Sequence, residues 1–190
     1  MKRVFLVHGW SGSPEREWFP WLASELEKNG FQVQIPALPD TDHPHITAWV
    51  PALAAAVGTP DANTYFVGHS MGCQTIARYL AGLDDLIQVG GVVYVGGYFD
   101  SLTLGEDEEV EVWNEWHDAP LNLSRVKARA PKSIAIFSDN DPFVPIENAK
   151  RFEQELGSEI IIEHAQSHFN GDDYVQIPFV LEAVLKLAQD

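Results

Sequence analysis

The stretch Tyr65-Phe66-Val67-Gly68-His69-Ser70-Met71-Gly72 decides the fold. Its first three residues form an apolar run that is typical of a buried strand, and from Met71 a helical pattern continues to Leu83. Gly68 to Gly72 matches the pattern G-x-S-x-G, which between a strand and a helix forms a sharp turn that lifts its serine above the sheet. The stretch therefore predicts that Ser70 is a nucleophile beside a helix amino terminus, which can stabilise an oxyanion.

Strands and helices alternate along the rest of the chain. Apolar runs predict strands over residues 4–7, 31–35, 64–67, 89–95, 133–137 and 159–162. Helical spacing of apolar residues predicts helices over residues 15–29, 45–57, 71–83, 146–156 and 174–188. This alternation favours a mostly parallel six-stranded sheet with helices on both faces. At 190 residues, we expect a single domain over residues 1–190.

One long segment, from Tyr98 to Pro131, interrupts the alternation. Its acidic run, Gly105-Glu106-Asp107-Glu108-Glu109, is expected to be a solvated loop. The segment also carries Trp113 and Trp116, which either line the substrate cavity or only fix the segment to the body of the protein.

Composition limits the classes of partner. Twelve Lys and Arg residues against 28 Asp and Glu residues give a formal net charge of −16, which disfavours binding to nucleic acid or an anionic membrane surface. No apolar run approaches the roughly 18 residues that a membrane span requires.

The one cysteine, Cys73, excludes an intramolecular disulfide and is expected to be a core residue. We expect a cytoplasmic protein.

A serine nucleophile requires a base, and seven histidines are available. His168 follows the sixth strand and precedes the last helix, so it is predicted to lie at the carboxyl edge of the sheet, where active groups gather. His164 ends that strand and is expected to be structural. His8 follows the first strand, where a loop could stabilise charge, and His69 flanks Ser70 too closely to act as its base.

The acid that orients the base is expected at a strand end between the serine and the histidine. Asp141 and Asp139 both follow the fifth strand, and Asp100 follows the fourth. We favour Asp141, with Asp139 and Asp100 as alternatives.

The backbone amide of Met71, directly after the nucleophile, is one expected oxyanion donor, and that of Trp10 in His8-Gly9-Trp10 is the other. Trp10 and Phe143 come from loops beside this site, so both are expected to line the substrate cavity.

One loop contains four residues of types that bind metals: Asp40, Asp42, His43 and His45. Their neighbours in the sequence are Pro39 and Pro44, and no further metal-ligand motif appears. A polar loop is the better interpretation. We expect no metal and no cofactor.

Four motifs together resemble the α/β-hydrolase superfamily: Val7-His8-Gly9-Trp10, Gly68 to Gly72, Asp141-Pro142-Phe143-Val144-Pro145 and Ser167-His168-Phe169. The chain more narrowly resembles the small serine-hydrolase family that includes retinoblastoma-binding protein nine and its bacterial relatives. The resemblance implies strand order 2-1-3-4-5-6, no large lid domain, and the triad Ser70, Asp141 and His168. Ser167 departs from it, because a glycine commonly precedes this histidine. The chain lacks a Leu-x-Cys-x-Glu segment, so retinoblastoma binding does not carry over.

The expected activity is hydrolysis of a carboxylic ester or related acyl bond through an acyl-serine intermediate, with a small-molecule acyl substrate. An amidase or peptidase would use the same triad. A protein-binding module on a hydrolase scaffold is an alternative of another class, since fold alone does not fix function.

Overall fold

The computed structural model describes residues 1–104 and 107–189. Its strands are β1 (Arg3–Val7), β2 (Gln32–Gln34), β3 (Thr64–His69), β4 (Gly91–Val95), β5 (Ser133–Ser138) and β6 (Glu159–Glu163). The α-helices in these residues are α1 (Phe19–Lys28), α2 (Ile46–Val57), α3 (Met71–Gly82), α4 (Asp107–Asp118), α5 (Leu123–Arg129), α6 (Ala149–Arg151) and α7 (Pro178–Leu187). Short α6 is extended by a 3-10 turn over Ile146–Asn148 and a π-helical stretch over Phe152–Leu156.

The strands form one six-stranded sheet in the order β2-β1-β3-β4-β5-β6, and every neighbouring pair is parallel. The predicted α/β architecture and strand order are thus confirmed. The inner strands β3, β4 and β5 are buried along their whole lengths, which explains their nearly continuous apolar sequences. All carboxyl ends meet at one edge of the sheet.

Each face of the sheet carries its own apolar core. Phe5 and Phe66 point to one core, which they share with α2, α3 and the π-helical turn after α6. Val4, Leu6 and Val67 point to the other, which is closed by α1 and α7. Because successive side chains of a strand point to opposite faces, covering both faces requires apolar residues at consecutive positions.

Two helices begin later than predicted. The first was expected from Glu15, but α1 starts at Phe19, because the backbone of Glu17 adopts a positive φ of 55° and cannot continue a helix. The last was expected from Tyr174, but α7 starts at Pro178, where proline is tolerated because the first-turn amides have no intrahelical acceptor.

The segment from Tyr98 to Pro131, which interrupts the predicted alternation, contains α4 and α5. Val112 and Trp116 are four residues apart, so they share one face of α4, and both are buried. This apolar face explains why the segment folds as a helix. The expectation of a solvated acidic loop is therefore wrong from Asp107 onward, whereas Gly105 and Glu106 lie outside the described residues.

The side chains of Trp116, Glu115 and Arg78 fix α4 to the body of the protein. The Trp116 indole donates to the Pro44 carbonyl (2.8 Å) and packs edge-on against Trp49. The Glu115 carboxylate accepts the Ile46 amide (2.8 Å) at the start of α2. The Arg78 guanidinium, from α3, donates to the Trp116 and Ala119 carbonyls at the carboxyl end of α4, where a cation is favourable.

Within the described part of the chain, no helix is both long and apolar enough to span a bilayer.

The helix α3 approaches the end of β1 closely. A Cβ atom at Gly72 would lie 2.1 Å from the Val7 carbonyl oxygen and 2.7 Å from that of His8. Only glycine therefore allows the amino end of α3 to sit against the end of β1.

We expect Gly72→Ala to lower the free energy of unfolding by about 3 kcal/mol or more, because backbone atoms must move apart. The control is Gly82→Ala at the end of the same helix, where an added Cβ meets nothing within 4 Å. It should stabilise the protein by up to about 1 kcal/mol. Urea unfolding of both variants measures the difference, and equal effects would contradict the close-approach explanation.

Candidate active site

Ser70 occupies a strained turn between β3 and α3. Its backbone has φ 52° and ψ −119°, a region that non-glycine residues rarely adopt. The Ser70 amide donates to the Val95 carbonyl (2.9 Å), which ties the turn to the end of β4. A Cβ atom at Gly9 would lie 3.0 Å from the Ser70 Cβ, so the loop after β1 passes directly beside the serine. Sequence reasoning predicted this turn correctly.

His168 and Asp141 form a buried pair at the same edge of the sheet. The His168 Nδ1 lies 2.7 Å from the Asp141 Oδ2, and the two side chains are 7% and 2% exposed. The other Asp141 oxygen accepts the amides of Phe143 and Val144, each at 2.9 Å. Because a carboxylate only accepts, Nδ1 carries the proton, which leaves Nε2 of a neutral His168 free to accept one.

The alternative acids are engaged elsewhere. Asp139 contacts Nδ1 of His164 (2.6 Å) and accepts the Ala165 amide (2.9 Å), in a solvent-accessible position. Asp100 pairs with Arg151 beyond β4. The structure thus brings Asp141, and neither Asp139 nor Asp100, to His168, and it places His164 in a structural role.

The loop after β5 also holds the loop after β6. Besides the Asp139 contact, Asn140 accepts the Ser167 amide through Oδ1 (2.8 Å), and the Ser138 hydroxyl accepts the Gln166 amide (2.9 Å). Three consecutive side chains, at the end of β5 and the start of the loop after it, therefore bind three consecutive amides of the other loop, which fixes the backbone just before His168.

The residues of the two predicted oxyanion donors, Met71 and Trp10, both lie near Ser70. Met71 is the first residue of α3, where backbone amides have no intrahelical acceptor. Trp10 belongs to the loop that Gly9 brings against the serine, and its indole donates to the Asp42 carbonyl (2.9 Å). Both residues line the cavity described below.

Burial favours the neutral form of two further histidines, His8 and His69. Burial lowers the pKa of His8, although its ring also contacts the Gly9 carbonyl (3.0 Å). Burial, with the nearby His168, lowers the pKa of His69 to about 3.

Ser70 and His168 open onto one cavity of about 360 Å³. Its wall combines apolar and polar side chains: Trp10, Ser11, Asp42, His43, Met71, Tyr98, Leu102, Thr103, Leu104, Val112, Phe143 and Asn170. The prediction that Trp10 and Phe143 lie in this cavity therefore agrees with the geometry.

Trp113 and Trp116 are not among the described residues that line this cavity. Trp116 of α4 is fully buried and packs against Trp49 of α2. Trp113 packs on Tyr98 and His117. The structure thus supports the alternative that the two tryptophans fix their segment to the body of the protein and do not line the cavity. Sequence reasoning missed Val112, on the same α4 face as Trp116, and Tyr98, although Tyr98 directly follows the glycines at the end of β4.

The remaining polar candidates form no metal site. Asp40 and His43 are 3.5 Å apart, His45 pairs with Glu115, and no group of three or more potential ligands occurs among the described residues. Cys73 is fully buried, and its thiol donates to the Gly68 carbonyl (3.2 Å). Burial raises the pKa of this thiol, which disfavours the nucleophilic thiolate.

Comparison with known proteins identifies the family. The sequence profile described as serine hydrolase matches residues 4–184. The chain belongs to the serine hydrolase family. It is 27% identical to YdeN of Bacillus subtilis over 184 residues, which cover 96% of this chain and 94% of YdeN. It is 24% identical to the serine hydrolase RBBP9 of Rattus norvegicus over 169 residues, covering 88% and 86% of the two chains. The predicted family is thereby confirmed, and the protein is a hydrolase.

Solved structures share the fold. The YdeN crystal structure superposes with a TM-score of 0.91 over the whole of both chains. Est1E of Butyrivibrio proteoclasticus, with ferulic acid bound, has a TM-score of 0.76 at 14% identity, covering 99% of this chain and 88% of Est1E. The α/β-hydrolase fold is thus shown, and residues 1–104 and 107–189 contain no large lid domain.

We expect Asp141→Asn to lower kcat for ester hydrolysis by roughly 10⁴-fold, because the amide stabilises the wrong tautomer of His168. The control Asp139→Asn removes a neighbouring carboxylate that binds His164 and should change kcat by less than about 10-fold. Steady-state kinetics of both variants measures the ranking, and the reverse order would transfer the orienting role to Asp139.

Proposed function

We propose that the protein hydrolyses carboxylic esters through an acyl-serine intermediate formed on Ser70. The observation that carries the proposal is the buried Asp141–His168 pair, which opens onto the same cavity as a serine on a strained turn. Burying a carboxylate is costly even when both of its oxygens accept hydrogen bonds, as those of Asp141 do, and orienting a general base gives a reason for keeping it there.

In the first half of the reaction, His168 Nε2 takes the hydroxyl proton as Ser70 Oγ attacks the carbonyl carbon of the ester. The amides of Trp10 and Met71 donate to the oxygen that becomes negative. The C–O bond to the alcohol then breaks, and the alcohol leaves with the proton held by His168. Asp141 stays ionised and stabilises the imidazolium.

In the second half, His168 takes a proton from water, whose oxygen attacks the acyl carbon. The new tetrahedral species collapses, the bond to Ser70 Oγ breaks, and the proton returns to the serine. The carboxylic acid is released, and neither a metal nor a cofactor is used in this scheme.

The cavity favours a short, uncharged acyl group. A volume of about 360 Å³ lies near the lower end of ordinary ligand pockets. Leu102, Val112 and Phe143 supply apolar surface, and no lysine or arginine is among the described lining residues. With Asp42 among the lining residues and a net charge of −16, an anionic substrate is repelled.

Est1E, which shares the fold, binds ferulic acid, a carboxylic acid of the kind that ester hydrolysis releases.

We expect Ser70→Ala to lower ester hydrolysis by about 10⁴-fold or more, and to abolish covalent labelling by a fluorophosphonate probe. Mass spectrometry of labelled wild-type protein should locate the probe on Ser70. The control Ser124→Ala, on the exposed side of α5, should label and react like wild type.

Retention of more than about a tenth of the activity in Ser70→Ala would exclude this serine as the nucleophile. No labelling of folded wild-type protein would favour the binding-module alternative. Faster turnover of matched amides than of esters would favour the amidase alternative.

We expect kcat/KM for p-nitrophenyl esters to be highest with acyl chains of up to about six carbons. Val112→Phe should fill part of the cavity and move this maximum to shorter chains. Val110→Phe, on the exposed part of α4, is the matched control and should leave it unchanged. A wild-type maximum at long chains, or faster hydrolysis of a matched anionic ester, would contradict the proposed substrate class.

A further inference from the structure

The backbone around His168 is strained. Ala165, Ser167 and Phe169 have φ angles of 55°, 47° and 55°, so non-glycine residues on both sides of His168 adopt the left-handed region. Such conformations persist only where the surrounding structure holds them. The contacts that hold this loop therefore decide where the imidazole of His168 lies.

The loop after β5 binds the amides of residues 165–167, but two other side chains bind the next carbonyls. His69 Nε2 lies 2.8 Å from the His168 carbonyl oxygen. The Trp18 indole donates to the Phe169 carbonyl (2.9 Å). A carbonyl oxygen only accepts, so His69 carries its proton on Nε2.

His69 and Trp18 also pack against each other. Their rings meet edge-on, with centroids 5.8 Å apart, and both residues are buried. The His69 ring lies 4.9 Å from that of His168, which becomes a cation in the proposed reaction. Because His69 remains neutral at working pH, its ring can approach His168 this closely without adding a second positive charge.

We propose that His69 is a positioning residue: by donating Nε2–H to the backbone carbonyl of His168, alongside Trp18 on Phe169, it holds the base in line between Asp141 and Ser70. The kinetic part of this inference rests on the proposed function, whereas the geometric part does not. His69 precedes the nucleophile in sequence, so one turn of chain would set the positions of both Ser70 and His168.

Three variants test the role. His69→Leu removes the donor, and we expect kcat to fall about 10- to 100-fold with KM changed less than about 2-fold, because small displacements of a catalytic group have effects of this size. His69→Gln can place an amide N–H near the same carbonyl and should recover kcat to within about 5-fold of wild type. The control is His117→Leu on α4, where the histidine contacts Trp113 and Asp118, and its kcat should not change.

A second measurement does not depend on turnover. The His168 Nδ1 proton, bound to Asp141, is expected to give a low-field proton NMR signal that disappears in Asp141→Asn. It should shift or broaden in His69→Leu and stay near its wild-type position in His69→Gln. This pattern in a wild-type protein that does not hydrolyse esters would support the positioning role and overturn only the proposed function.

Wild-type kcat and an unchanged low-field signal in folded His69→Leu would overturn the inference, as would an equal loss in the folded Leu and Gln variants. If His69→Leu does not fold, His69→Asn replaces it, because its shorter amide cannot reach the carbonyl. Asparagine and glutamine variants of equal activity and equal signal would then overturn the inference.

Discussion

The contact between Gly72 and the end of β1 is the constraint on which the site depends. Because no side chain separates the amino end of α3 from the Val7 carbonyl, the helix begins directly against the neighbouring strand. Ser70 must then turn sharply, and the loop carrying Trp10 passes beside it. Ser70 and the residues of both proposed oxyanion donors thus owe their positions to one close approach, in which any Cβ at residue 72 would overlap backbone atoms.

The other half of the site depends on contacts between loops that are distant in sequence. Asp141 is fixed by the two amides that follow it in its own loop, and neighbouring Asn140 reaches across to the loop that carries His168. His69 and Trp18 hold the far end of the same loop. Buried polar groups here are bonded to partners that restrict their orientation, so the imidazole is oriented before a substrate arrives.

Sequence reasoning succeeded where the signal is local. The turn at Ser70 follows from five consecutive residues, and the strand order followed from a family resemblance. Spacing could not separate Asp139 from Asp141, because they lie two residues apart in one loop. Only the path of the loop after β6 brings His164 to Asp139 and His168 to Asp141. Trp113 and Trp116 could not be placed either, since that requires knowing which face of α4 meets α2. His69 was assigned no role because its partner is 99 residues away.

Helix α4, which forms part of the cavity wall, is fixed to the body of the protein. Helix α4 contributes Val112 to the wall, and Trp116, Glu115 and Arg78 attach it to α2 and α3. Arg78 lies on α3, the helix that directly follows Ser70, so α3 connects the turn at Ser70 to α4. A movement of α4 would require breaking the contacts of Trp116, Glu115 and Arg78. Because α4 is fixed, this part of the wall selects a ligand by the shape that it already has. The side chains that line the cavity, such as that of Val112, therefore set the size of the acyl group in the proposed reaction.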